Sequence, residues 1–125
     1  MKLAIVGSRS INNDELVIDF INECYPKLSK VKLIISGGAP GVDTIAEKYA
    51  KENKIKTKIF IPNWEKYGDQ AHFIRNSNII SGCDECIIIW DGHSECTKQD
   101  IDLCYEMGKK CYIYNLSENC KEIIN

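Results

Sequence analysis

Nothing constrains this chain more than a short apolar run that is broken off by three glycines and a proline and followed at once by a helical pattern. Val31-Lys32-Leu33-Ile34-Ile35 leads into Ser36-Gly37-Gly38-Ala39-Pro40-Gly41 and then into Val42 to Ala50. The first run is too short for a helix and suits a buried parallel strand. The middle segment cannot extend that strand, because glycine and proline favour tight turns, including φ > 0 geometry that other residues resist. Beyond it, Val42, Ile45, Ala46, Tyr49 and Ala50 share one helical face, while Glu47, Lys48 and Lys51 fall elsewhere. Thr44 and Glu47 have the spacing of a capping box, and Asp43 places negative charge near the helix start. The unit therefore reads strand, glycine loop, helix N-terminus, an arrangement whose free N–H groups and helix dipole suit an anion. A glycine turn that merely packs the helix close to the sheet would have the same spacing. The segment is neither G-x-G-x-x-G nor G-x-x-x-x-G-K-[ST], so it predicts neither a dinucleotide fingerprint nor a P-loop.

The same alternation runs through the chain. Lys2 to Val6 forms a first apolar run ended by Gly7-Ser8-Arg9, where close backbone approach, a hydroxyl and a guanidinium could hold phosphate or carboxylate. Asn12 or Asn13 is placed to cap a helix with Leu16, Val17, Phe20, Ile21 and Cys24 on its apolar face, stopped at Pro26. Ile59, Phe60 and Ile61 make a third strand closed by Pro62. In the turn-like stretch Asn63 to Gly68, Trp64 and Tyr67 either stack on a flat base or cover the core edge. Ala71 to Ile80 is helical in pattern, with Ala71, Phe73, Ile74 and Asn78 inward and the polar Arg75-Asn76 aimed into a crevice.

Cys86 to Trp90 is the most apolar run and hence a central strand, ending in the small-residue loop Asp91 to Thr97. A helix carrying Ile101, Cys104, Tyr105 and Met107 stops at Gly108, and Cys111 to Tyr114 is a fifth strand. Residues 1–116 thus form one domain, with 117–125 a tail that is a short helix or frays. Five strands alternating with helices predict a doubly wound, mainly parallel α/β sheet with helices on both faces. The loops after strands one, two and four then meet where strand order reverses, and these three carry the glycines and small polar residues.

The 125 residues are 44% hydrophobic and 27% charged, enough for a single core, and the net charge of −2 argues against a general polyanion-binding surface. No apolar run reaches the ~20 residues of a membrane span, and Leu3 to Val6 is too short for a signal-peptide core, which predicts a cytoplasmic protein. Seven cysteines cannot all pair internally and read as reduced thiols. Cys83 and Cys86 have CxxC spacing with His93 and Cys96 nearby, yet no second pair follows, so neither metal nor cofactor is predicted.

Taken together, Gly7-Ser8-Arg9, Ser36-Gly37-Gly38-Ala39-x-Gly41-Val42-Asp43-x-x-Ala46, Trp64-x-x-Tyr67-Gly68, Arg75-Asn76 and Trp90-Asp91-Gly92-x-Ser94-x-x-Thr97 resemble the SLOG superfamily, in particular its small YspA/YpsA-like branch. The resemblance spans about residues 2–115 and implies a Rossmann-like fold. The superfamily includes the Lonely Guy phosphoribohydrolases, which split nucleoside monophosphates, and DprA, which binds single-stranded DNA. It implies that Ser36, Gly37, Gly38 and Gly41 form one phosphate loop and Asp91, Gly92, Ser94 and Thr97 a second. Arg75 and Asn76 would face the ligand, and Asp43 and Trp64 join Gly7, Ser8 and Arg9 as ligand-binding residues. Two departures stand out. Cys96 sits where the family usually has glycine before the threonine, and Asp100 replaces the catalytic glutamate of the Lonely Guy enzymes. The expectation is a sensor or sequestering protein for a nucleotide or ADP-ribose-like ligand, with a possible homo-oligomer. A phosphoribohydrolase using Asp100 is the first alternative. Single-stranded nucleic-acid binding through Trp64, Tyr67 and Arg75 is the second, and the acidic balance weighs against it.

Overall fold

The computed structural model describes residues 1–125 and has one mixed sheet with helices on both faces. In chain order the elements are β1 (Lys2–Gly7), α1 (Asp14–Cys24), β2 (Leu33–Ser36), α2 (Val42–Glu52), β3 (Lys56–Ile59), α3 (Trp64–Tyr67), α4 (Ala71–Gly82), β4 (Glu85–Trp90), α5 (Glu95–Met107), β5 (Lys110–Asn115) and β6 (Cys120–Ile124). The sheet order is β3-β2-β1-β4-β5-β6, parallel throughout except for β6. Strand order reverses between β1 and β4, the central pair.

Strand side chains alternate between faces, so each central strand feeds two cores. Leu3 and Ile5 of β1 and Ile87 and Ile89 of β4 pack beneath α1 and α2 against Val17, Phe20, Ile21, Ile45 and Tyr49. Ala4, Val6, Cys86 and Ile88 face the other way, under α4 and α5, against Ile79, Ile80, Leu103 and Cys104. Burial on both faces explains why Cys86 to Trp90 reads as an unbroken apolar run. Asn13 caps α1, its side-chain oxygen accepting from Leu16 N–H at 3.1 Å. Gly108 closes α5 in the left-handed region at φ 65°.

Several expectations are corrected. The sheet has six strands rather than five, because Cys120–Ile124 turns back at Asn119 (φ 47°) and pairs antiparallel with β5. Residues 117–125 are therefore a hairpin arm of the same sheet, neither a helix nor a frayed tail, and Ile124 plugs the second core. The capping box does not form: Gly41 caps α2 without a side-chain bond, and Thr44 Oγ1 donates instead to the Ala39 carbonyl at 2.8 Å. The third strand ends at Ile59, leaving Ile61 77% exposed. Asn63 to Gly68 holds a one-turn helix rather than a bare turn. In α4 the inward residues are Ala71, Arg75, Asn76, Ile79 and Ile80, while Phe73 and Asn78 face solvent. In α5, Leu103 is buried where Tyr105 and Met107 are exposed. No helix is long and apolar enough to cross a membrane.

Candidate functional site

At the C-terminal ends of β1 and β4, where open parallel sheets place their ligand crevices, lies a cavity of about 330 Å³. The end of β1 supplies Gly7, and the loops after β1, β2 and β4 supply Arg9 and Ser10, then Ala39, then Asp91 and Ser94. The start of α2 adds Asp43, α4 adds His72, Arg75 and Asn76, and α5 adds Glu95, Cys96, Thr97 and Asp100.

Ser8 ties the two central loops together without reaching the cavity wall. Its N–H donates to the Ile89 carbonyl at 3.0 Å, its Oγ accepts from Asp91 N–H at 3.0 Å, and Thr97 Oγ1 lies 3.2 Å from the same oxygen. Gly7 and Gly41 answer to close packing. A Cβ at Gly7 would fall 2.3 Å from the Ile89 carbonyl oxygen, and one at Gly41 (φ 82°) would fall 2.5 Å from that of Ser8. The β1–α1 and β2–α2 turns are thus nested backbone to backbone.

Arg75 is the hub. Only 7% exposed, it donates from Nη1 to the Gly37 carbonyl at 2.6 Å and from Nε to Asn76 Oδ1 at 2.8 Å, and its Nη2 lies 3.2 Å from His72 Nδ1. A guanidinium only donates, so His72 Nδ1 must accept and its proton sits on Nε2. Burial first, then the charges of Arg75 and Arg9, hold His72 below its ordinary range, which keeps that tautomer neutral.

Each loop already directs N–H groups to a carboxylate of its own. Asp43 Oδ2 accepts from Ala39 N–H at 3.3 Å, and Asp91 Oδ1 accepts from the N–H groups of His93 and Ser94, both at 2.8 Å. Burial pushes Asp91 up, but those N–H groups and the Ser10 hydroxyl outweigh it and hold the carboxyl below its ordinary range. Asp43 goes the opposite way: burial raises it to about 6 despite the Ala39 bond and Arg75. Asp100 is also raised, by burial and by the like charge of Asp43. Three buried side-chain polar atoms lack a partner, Asp43 Oδ1, Asn76 Nδ2 and Asp100 Oδ1, and all belong to residues lining this cavity.

Among the residues expected from sequence, Gly7, Arg9, Asp43, Arg75, Asn76, Asp91, Ser94, Thr97 and Asp100 come together around the cavity. Ser36 is fully buried, its hydroxyl donating to the Ile5 carbonyl at 2.8 Å, and serves the sheet. Gly37 stands behind the wall, between Arg75 and Asp43, and Gly38 (φ 70°) packs on Ile59. Gly92 (φ 90°) faces Ser117. Trp64 is half exposed and meets the site only by packing edge-on against His72, ring centroids 4.5 Å apart. Ser10, Ala39, His72, Glu95 and Cys96 line the cavity without having been singled out for it. The helical period of α4 was the available signal for His72, which lies one turn before Arg75–Asn76 on the same side. The CxxC does not act as a unit: Cys83 Sγ donates to the Ile80 carbonyl at 3.2 Å, while Cys86 is inside the sheet.

A doubly wound α/β domain whose three central loops and two helices enclose a polar crevice is the class this molecule falls into. The family model described as YAcAr, the YspA, cpYpsA-related SLOG family, matches residues 1–67, just over half of the chain, and the protein belongs to that family. A search of curated proteins finds no match.

Proposed function

We propose that the crevice binds a nucleotide or nucleotide-derived ligand, a nucleoside phosphate or an ADP-ribose-like molecule, as a sensor or sequestering protein. One observation carries the reading: every buried side-chain polar atom without a partner belongs to a residue of this one cavity. Buried polar groups are satisfied in the great majority of cases, so three unpaired ones around one cavity support polar ligand binding there. Membership of a SLOG family agrees with a nucleotide-related ligand.

Because Asp43 and Asp91 already draw on the loop amides, the phosphate is best served by Arg9 and by the Glu95 and Cys96 N–H groups at the start of α5, which no protein group accepts. Asp43 and Asp100 suit sugar hydroxyls, which donate to carboxylates. Thermal shift and calorimetry against a panel of nucleoside mono- and diphosphates, ADP-ribose and cyclic ADP-ribose test the proposal. A shift of several degrees with saturable heat supports it, and silence across the panel defeats it.

A second reading is hydrolysis of an N-glycosidic bond. Its motivation is Asp100, a buried carboxyl raised by burial and by its acidic neighbour, which would stay protonated long enough to donate to a departing base while water adds to the sugar carbon. Chromatography for free base after incubation with nucleoside monophosphates decides it, and unchanged turnover in Asp100→Asn would reject the role given to that residue.

A further inference from the structure

Outside the crevice, three thiols from three elements converge. Cys86 of β4 lies directly opposite Cys111 of β5 in the parallel register, and α5 lays Cys104 over the pair. The three Sγ atoms all lie within 4.8 Å of one another, and none of the three residues is exposed at all. We propose that Cys86, Cys104 and Cys111 form a three-sulfur site for a soft, thiophilic d¹⁰ cation of the Cu(I) or Zn(II) kind.

The geometry is close to what such an ion requires. Metal–sulfur bonds of ~2.3 Å in a trigonal set place the sulfurs about 4 Å apart, close to the 4.8 Å within which these three lie. The thiols have no better partners. Cys86 and Cys111 reach only the next residue's carbonyl, at 3.7 and 3.9 Å, distances at which a thiol bond is weak. Lys109 adds a counter-charge at the rim, donating from Nζ to the Cys83 carbonyl at 2.7 Å.

Binding a divalent ion would displace the three thiol protons and leave three thiolates around M²⁺, a net charge of −1 beside the Lys109 ammonium. A dry, all-sulfur set selects against hard oxygen-seeking ions such as Mg²⁺ and Ca²⁺. Three sulfurs suffice for Cu(I). Zn(II) prefers four ligands, and these three sulfurs supply three of them.

The test uses the full-length reduced protein, stripped with a chelator and titrated anaerobically with Cd(II) as a spectroscopic d¹⁰ probe. One equivalent per chain should raise a thiolate-to-metal charge-transfer band and a higher melting temperature. Cys104→Ser should lose most of the band, and Cys96→Ser and Cys120→Ser, which alter exposed thiols, should keep it. X-ray absorption at the cadmium edge of the wild-type protein should show a first shell of three or four sulfurs, an outcome independent of whether any variant folds. No band, a shell of oxygen or nitrogen, or a band abolished by Cys96→Ser or Cys120→Ser would overturn the site. With the site supported, competition by Zn(II) and Cu(I) for bound Cd(II) ranks the natural candidates.

Discussion

Arg75 Nη1 donates to the carbonyl oxygen of Gly37 at 2.6 Å, joining α4 to the glycine loop that follows β2. The bond is charge-assisted and buried, and the same guanidinium orients Asn76 and His72. Truncation would leave the Gly37 carbonyl and Asn76 Oδ1 without their donor, a penalty of about 1–3 kcal/mol for each buried group left unpaired. Arg75→Ala is therefore expected to lose about 2–4 kcal/mol of unfolding free energy in urea, with Arg75→Lys recovering part of it because one ammonium cannot serve diverging acceptors. An Arg75→Ala protein as stable as wild type would show that the loop is held by other means.

The paired acids predict an unusual pH dependence. A carboxyl whose native pKa exceeds its unfolded value contributes stability when protonated and loses it as pH rises through the native value. For Asp43, a rise from 3.8 to about 6 corresponds to a cost of about 3 kcal/mol at neutral pH. Asp100 is shifted in the same direction by burial and by Asp43. Asp100→Asn removes a carboxyl whose ionisation burial and Asp43 both oppose, and with it the cost of holding a proton that the unfolded chain would release at neutral pH. The variant should melt higher than wild type at pH 7.5, by an amount equivalent to about 1–3 kcal/mol. The difference should shrink as pH falls toward the ordinary carboxylate range, where the unfolded chain takes up the proton as well. Equal melting curves at pH 7.5 would mean that the two carboxyls are not coupled.

Glycine substitutions separate turns that must be glycine from turns that only prefer it. At Gly7 an added methyl meets the Ile89 carbonyl oxygen at 2.3 Å and Val42 Cγ2 at 2.7 Å, so two central elements would have to part. At Gly108 (φ 65°) nothing lies within 4 Å, and only the left-handed backbone resists. Gly108→Ala should cost about 1–2 kcal/mol, and Gly7→Ala should cost more, measured by chemical denaturation of both. A smaller loss at Gly7 would show that β1 and β4 can separate freely at their C-terminal ends.

How much of this was visible in the sequence follows from which forces act locally. The parallel core was legible because Cys86 to Trp90 is buried on both faces and so has no polar residues to disguise it. The convergence of three loops followed from strand and helix alternation plus the crossover rule, and nine expected residues do surround one cavity. What failed was decided by tertiary partners. Thr44 abandons its capping role because the Ala39 carbonyl is closer at hand, and Asn78 looked inward only by spacing. Trp64 is half exposed and packs edge-on against His72, which itself lines the cavity. Cys86, Cys104 and Cys111 lie too far apart in sequence for any spacing rule to join them. Neighbouring strands and a crossing helix do so.

The last strand offers a direct test of the hairpin arm. Its exposed residues, Cys120 to Ile123, give no amphipathic signal, and only Ile124, 7% exposed, enters the second core opposite Cys111. β6 also covers the edge of β5, whose unpaired N–H and C=O groups would otherwise template intermolecular pairing. Ile124→Ala should lower stability by about 2–4 kcal/mol through the lost apolar burial and the cavity left behind. Ile123→Ala, at a side chain 62% exposed on the same strand, should change it by less than about 0.5 kcal/mol. Truncation after Leu116 should go further, leaving a folded crevice but a concentration-dependent tendency to self-associate, read by light scattering. If Ile124→Ala proved neutral, or the truncated chain stayed monomeric at high concentration, residues 117–125 would be dispensable to the sheet.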